Sequence, residues 1–163
     1  MNMRMFAGTL LLSVAFAAQS EAGGYVEARA GIADGTYLST TETVGAAVGF
    51  EVVDSGRNFF GAEFVVDVYD GFSSSAAGIN LRAGTQIDEK SRLFATLGRI
   101  WQRQYYTYYD GIFLVTVDDY FYDTTAGVGY QTDISPNSYV SVQFQRIFDS
   151  EINRATVGIG LKF

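Results

Sequence analysis

The chain has 163 residues, a formal net charge of -7, no cysteine and no histidine, with 18 glycines against a single proline and aromatics at 15%. These numbers exclude a disulfide framework, a lipidated N-terminal cysteine and any catalytic triad that needs histidine or a thiol. The segments expected to face outward carry Asp34, Glu42, Asp70, Asp110, Asp118, Asp119, Asp149 and Glu151, with Arg103 the only base above the aromatic girdle. Such a face repels polyanions, so nucleic acid, heparin-like chains and bare phosphate-rich lipid are expected to be poor partners.

Met1 to Arg4 is short and basic, Met5 to Ala18 is apolar, and Ser20-Glu21-Ala22 brings small residues to the positions that a signal peptidase reads. This predicts an exported chain with a signal peptide over 1–22, cleaved after Ala22. As a membrane anchor the apolar run is too short, since a spanning helix needs roughly 20 residues. Removal of 22 of the 163 residues leaves 141, one domain over 23–163, and because the leader carries Arg4 and Glu21 the mature charge stays at -7. No helical spacing, solenoid repeat or low-complexity linker follows.

Alternation of apolar and polar residues marks strands, since successive side chains point to opposite faces. The first segment, Tyr25 to Ile32, sets Val26, Ala28, Ala30 and Ile32 against Tyr25, Glu27, Arg29 and Gly31. The second sets Val44, Ala46, Val48, Phe50 and Val52 against Gly45, Ala47, Gly49 and Glu51. The third opposes Phe60, Ala62, Phe64, Val66 and Val68 to Gly61, Glu63, Val65 and Asp67, and the fourth Ile79, Leu81 and Ala83 to Gly78, Asn80, Arg82 and Gly84. In the fifth, Leu93, Ala95 and Leu97 face away from Phe94, Thr96 and Gly98.

Arg99 to Tyr122 is too apolar and too β-prone for a loop. Asp110-Gly111 is a favoured two-residue hairpin turn, and pairing outward from it sets Tyr109 opposite Ile112, Arg103 opposite Asp118, Thr96 opposite Thr125 and Phe94 opposite Gly127. The two strands then run about 19 residues each against the roughly 10 that cross a membrane, so nearly half of the hairpin projects. Trp101, Tyr120 and Tyr122 fall at its base as an aromatic girdle, with Tyr105, Tyr106, Tyr108, Tyr109 and Phe113 above, while parity turns Arg99 outward.

The sixth segment opposes Ala126, Val128 and Tyr130 to Asp123, Thr125, Gly127, Gly129 and Gln131, and the seventh Val140, Val142 and Phe144 to Ser141, Gln143 and Gln145. The eighth sets Ala155, Val157, Ile159, Leu161 and Phe163 against Arg154, Thr156, Gly158, Gly160 and Lys162. A soluble carrier hides its apolar set inside the barrel and a membrane barrel reverses this; alternation alone fits both. Glycine decides, because the polar set holds most of the strand glycines and an eight-stranded interior has room only for side chains that are small beside large. Mixed charges on that face (Glu27, Arg29, Glu51, Glu63, Asp67, Arg82, Asp123, Arg154, Lys162) suit a buried ion-pair network, with Glu63 and Arg82 on adjacent strands.

Thr156, Gly158, Leu161 and Phe163 resemble the terminal signal of bacterial outer-membrane β-barrels. The mature chain as a whole resembles the small eight-stranded outer-membrane family that includes the transmembrane domain of OmpA, OmpX and opacity-type proteins. The resemblance implies an all-β, closed, antiparallel, up-and-down transmembrane barrel of eight strands in the outer membrane of a Gram-negative bacterium. Its implied partners are outer-membrane lipids and lipopolysaccharide, together with the barrel-assembly machinery that reads the strand ending in Phe163; the expected state is a monomer. Both termini then face the periplasm, with short turns at Val53 to Arg57, Asp88 to Lys90 and Asp133 to Asn137. Outward links are expected at Ala33 to Glu42, Tyr69 to Ser75, around Asp110, and Phe148 to Glu151.

No catalytic, cofactor-binding or metal-binding residues are expected. Asp118 and Asp119 are strand neighbours pointing to opposite faces, Ser73 to Ser75 read as loop, and the acidic outward links lack calcium-loop spacing. The family implies a non-enzymatic role in envelope structure and surface interaction. Two alternatives stay open: an adhesin or host-interaction protein acting through the hairpin around Asp110-Gly111, and a narrow small-solute pore.

Overall fold

The structure, a computed structural model, describes residues 23–35, 38–53, 57–69, 74–109, 111 and 114–163; the signal segment expected over 1–22 lies outside them. Eight strands, β1 (Gly23–Gly35), β2 (Leu38–Val53), β3 (Asn58–Tyr69), β4 (Ser74–Gln86), β5 (Ser91–Tyr109), β6 (Leu114–Ser135), β7 (Ser138–Ile147) and β8 (Ile152–Lys162), form one closed barrel in chain order. All neighbours are antiparallel, and β8 pairs with β1 from Tyr25↔Lys162 to Gly35↔Ile152. Phe163 and Gly24 exchange two backbone hydrogen bonds of 2.9 Å, so the seam is tied at its last residue. Within the barrel wall closure pairs every strand on both sides among the described residues.

The parity assignments hold on all eight strands, although Val48 of the outward set is covered by its neighbours and only 5% exposed. Leu81 is 64% exposed while its neighbour Arg82 is 3% exposed, and Val157 at 60% stands beside Thr156 at 5%. The barrel is therefore inverted relative to a soluble one, with aliphatic and aromatic side chains outside and polar ones in the lumen. Arg99 is exposed on the outward face, as its parity requires.

Several links are shorter than expected. The loop placed at Ala33 to Glu42 is strand on both sides: β1 continues to Gly35, β2 begins at Leu38, and a Thr40 to Asp34 hydrogen bond of 3.0 Å crosses between them. The run Thr40, Thr41, Thr43 and Val44 is β-branched, which favours continuing the ladder. The turn placed at Asp133 to Asn137 contracts to Pro136-Asn137, because β6 bulges between Asp133 and Ser135 and still pairs Ser135 with Ser138. Proline sits where no ladder donor is lost. The turn at Asp88 is built as expected, with Asp88 Oδ1 accepting from the Lys90 and Ser91 amides at 2.8 Å each. Residues 54–56 and 70–73 lie outside the described residues.

The long hairpin exists, but its register differs from the expected one by two residues. Tyr109 is opposite Leu114, Arg103 opposite Tyr120, Thr96 opposite Gly127 and Phe94 opposite Gly129. A two-residue slip preserves every inward and outward face, so parity could not detect it. The two-residue turn is replaced by a longer one containing Gly111, whose φ of 93° is the left-handed conformation glycine tolerates. Asp110, Ile112 and Phe113 lie outside the described residues, as do the side chains of Tyr105, Tyr106, Tyr108 and Tyr109. With 19 and 22 residues, β5 and β6 outrun the 10 of β7 and 11 of β8, so the surplus stands beyond the barrel as a two-stranded ribbon.

Candidate functional site

Two features can carry function, the lumen and the ribbon. The lumen is filled from the far end inward. Ala33, Tyr69 and Ile147, near the ends of β1, β3 and β7, meet Ile152 at the start of β8 together with Ala47, Val65, Ala76 and Ile100, all 4% exposed or less. This apolar plug was not anticipated. Its signal was present in Ile100, Ile147 and Ile152, aliphatic residues that fall on inward parity.

Below the plug, Asp67 lies between two arginines. Arg29 donates to it through Nε to Oδ1 at 3.0 Å and through Nη2 to Oδ2 at 3.1 Å, and Arg154 Nη1 donates to the same Oδ2. Arg154 also donates to Tyr69 at 3.0 Å and to Gln145, so the second guanidinium is spread over three acceptors. Fully buried charges survive only when paired and hydrogen-bonded in this way.

The expected pairing of Glu63 with Arg82 is not made. Glu63 accepts from Tyr25 and from Asn80, each at 2.9 Å, and Glu27 accepts from Ser141 at 3.0 Å. Arg82 instead faces Glu51 at 3.4 Å, donates to Gln131 at 2.7 Å and lies 3.7 Å from the Phe94 ring centroid. Neutral donors can serve a carboxylate as well as a cation does, and parity sees charge but not amides and hydroxyls. Nearer the termini, Arg92 pairs with Glu51 at 2.6 Å and Lys162 with Asp133 at 2.5 Å, around a cup of about 100 Å³ that includes Tyr25, Gln131 and Tyr139.

Asp123, expected to join the lumen ion pairs, instead fastens the turn after β7. Its carboxylate accepts from the Asp149 amide at 2.9 Å, the Ser150 amide at 2.8 Å, Ser150 Oγ at 2.5 Å and Gln102 at 3.3 Å. Glu151 closes that turn with φ 53°.

At the base of the ribbon, Trp101 and Tyr122 are directly opposed and meet edge to face at 6.4 Å, and Tyr120 is 64% exposed two pairs further out. Arg103 grips Asp118 through Nε at 2.8 Å and Nη2 at 2.7 Å. The contact is the expected one, but it is diagonal across the ladder. The Arg103 hydrogen bonds hold the Asp118 carboxyl below the usual carboxylate range. Among the described residues no cluster of acidic side chains has metal-ligand geometry.

No protein-family model matches the sequence, and no curated protein matches it either. Solved structures do. The N-terminal β-barrel domain of Pseudomonas aeruginosa OprF aligns with a TM-score of 0.64 at 12% identity, covering 86% of this chain and 97% of that one. Ail, the attachment invasion locus protein of Yersinia pestis, aligns at 0.61 and 12% identity over 87% and 98%. Neisserial surface protein A aligns at 0.55 and 9% identity over 88% and 96%. At such identities the likeness is one of fold, and that fold is the small eight-stranded outer-membrane β-barrel.

Proposed function

We propose that this chain, which has the fold of the small outer-membrane barrels, is a non-enzymatic integral protein of a Gram-negative outer membrane that stabilises the envelope and presents the β5–β6 ribbon at the surface. The observation that carries the reading is the inversion of the barrel: an aliphatic outer wall around a lumen of paired charges. Such a wall is stable in hydrocarbon, and closure satisfies the backbone there. On this reading the termini lie in the periplasm, the ribbon lies outside, and the strand ending in Phe163 is the segment that the assembly machinery engages.

A pore reading draws little support, because the Asp67 cluster and the apolar plug occupy the lumen in series. Surface interaction draws support from the length of the ribbon and from the likeness in fold to a protein described as an attachment invasion locus product. The test has two arms. The folded protein should migrate differently on gels with and without boiling in SDS, and should give no steady conductance in planar bilayers. Binding to host or envelope components should vanish when Gln102 to Asp119 is shortened. Equal mobility before and after boiling overturns the membrane reading, and porin-like conductance overturns the structural one.

A further inference from the structure

We propose that cleavage after Ala22 completes a site in the lumen: the α-ammonium that it leaves on Gly23 enters the cup at the terminal end of the barrel and binds the Glu51 carboxylate. The inference rests on the signal peptide expected over 1–22. Gly23 is the first residue of β1 and is paired with Glu51 on β2. Both line the cup of about 100 Å³, together with Tyr25, Arg92, Tyr139 and Lys162. A Cβ built on Gly23 would meet nothing within 4 Å, so open space lies directly beside its backbone.

The ladder fixes what the Gly23 nitrogen can do. Gly24 gives both its N–H and its C=O to Phe163 at the seam. Backbone groups of successive residues point to opposite sides of a strand, so those of Gly23 turn the other way, to Glu51 on β2. Joined to Ala22 by a peptide bond, the Gly23 nitrogen has one N–H, and the ladder uses it. As an ammonium it has three, and two are then surplus at the mouth of the cup. In such a pair the Cα atoms stand about 5.5 Å apart, which keeps the Glu51 side chain within reach.

The cup holds an acceptor for these donors. Glu51 is 8% exposed, and its Oε2 accepts from Arg92 at 2.6 Å. Its Oε1 is buried and makes no hydrogen bond among the described residues; Arg82 Nε stands 3.4 Å away and makes none either. A buried carboxylate oxygen without a donor is costly, and a charge-assisted hydrogen bond removes that cost. Charge balance points the same way. Parity places five acids inward, Glu27, Glu51, Glu63, Asp67 and Asp123, against four bases, Arg29, Arg82, Arg154 and Lys162. Arg92 and Asp133, which join them at the cup, preserve the excess of one carboxylate. One added cation neutralises the lumen, and the cup's own cations are already engaged, Arg92 by Glu51 Oε2 and Lys162 by Asp133.

The test starts from protein purified from outer membranes, with sequencing of its N-terminus and ¹³C-labelled glycine. The Gly23 Cα shift follows the titration of its amine in micelles. Because the ammonium is the bound form, the amine should titrate about one unit or more above the free α-amino range of about 7.7–8.0, and should return to that range in Glu51→Gln. The groups that face it across the cup are Glu51, Tyr25, Arg92, Tyr139 and Lys162, with Asp133 behind Lys162. In urea at pH 7 the chain that begins at Gly23 should have an unfolding constant about threefold to tenfold lower than a refolded chain that begins at Ala22. That difference should vanish in the Glu51→Gln background. An unshifted titration in a chain that begins at Gly23, or a shift that persists in Glu51→Gln, overturns the pairing. Should Glu51→Gln fail to insert, the titration of the unsubstituted chain decides. A mature chain that begins at another residue is a different result, since it removes the occupant and with it the cleavage on which the proposal rests.

Discussion

The tip of the Phe94 ring packs onto the backbone of Gly129, so closely that a Cβ at that position would stand 2.2 Å from Phe94 Cζ. The ring cannot retreat freely, because the Arg82 guanidinium covers its face at 3.7 Å. Gly129→Ala should therefore destabilise the barrel by about 1–3 kcal/mol, the usual cost of overfilling a packed interior. Gly23→Ala is the control, with no atom within 4 Å of the added methyl group. Urea unfolding in detergent or vesicles measures both, and a neutral Gly129→Ala would show that the lumen is looser than this contact implies.

Much of this architecture was legible in the residues, and the reason is geometric. Period-two alternation puts Leu81 out and Arg82 in without reference to any partner strand. What alternation cannot fix is translation along the strand by an even number of residues, and the β5–β6 register differed by that amount. The aromatic-over-glycine contact survived with Gly129 in place of Gly127, because alternate inward positions of β6 are both glycine. Partners chosen across the lumen were equally hidden. Asp67 meets Arg29 and Arg154 from β1 and β8, and Asp123 fastens a turn 27 residues away through Ser150. Such meetings depend on barrel diameter and stagger, which no single strand encodes.

Asp67 should be the most sensitive charge in the molecule. It is 1% exposed and is the common acceptor of Arg29 and Arg154, so Asp67→Asn strands two buried cations. Breaking a buried pair by removing one partner costs about 3–5 kcal/mol. Unfolding midpoints should fall accordingly, whereas Arg103→Gln at the exposed base of the ribbon should leave them within error. A mild Asp67→Asn would mean that the lumen admits water to both arginines.

Acid should release the Arg103–Asp118 grip late. The Arg103 hydrogen bonds lower the Asp118 carboxyl below its ordinary value, so the pair contributes above the unfolded carboxylate range and is lost only as pH falls through the lowered folded value. From about pH 8 down to about pH 5 the Arg103 Nε proton should keep a constant, protected NMR signal, and the Asp118 carboxyl should titrate below the reference of about 3.9. Titration at or above that reference would mean that the contact is not held in solution.

The register of the ribbon has a direct chemical test. Arg103 is opposite Tyr120 and diagonal to Asp118, although its guanidinium reaches the latter. Directly opposed residues have Cα atoms about 4.5–5.5 Å apart, within disulfide range, while diagonal ones are about 7–8 Å apart and outside it. Cysteines replacing Arg103 and Tyr120 should therefore crosslink on mild oxidation, seen as a mobility shift reversed by reductant. Cysteines replacing Arg103 and Asp118 should not. The same holds two pairs further out, where Tyr105 with Asp118 should close and Tyr105 with Thr116 should not. Because a two-residue slip leaves both faces unchanged, stability and insertion cannot distinguish the registers, and only the pattern of crosslinks can. Efficient closure of 103 with 118 alone would move the whole ribbon by one pleat, shorten its turn to two residues and change which side chains stand together at the tip.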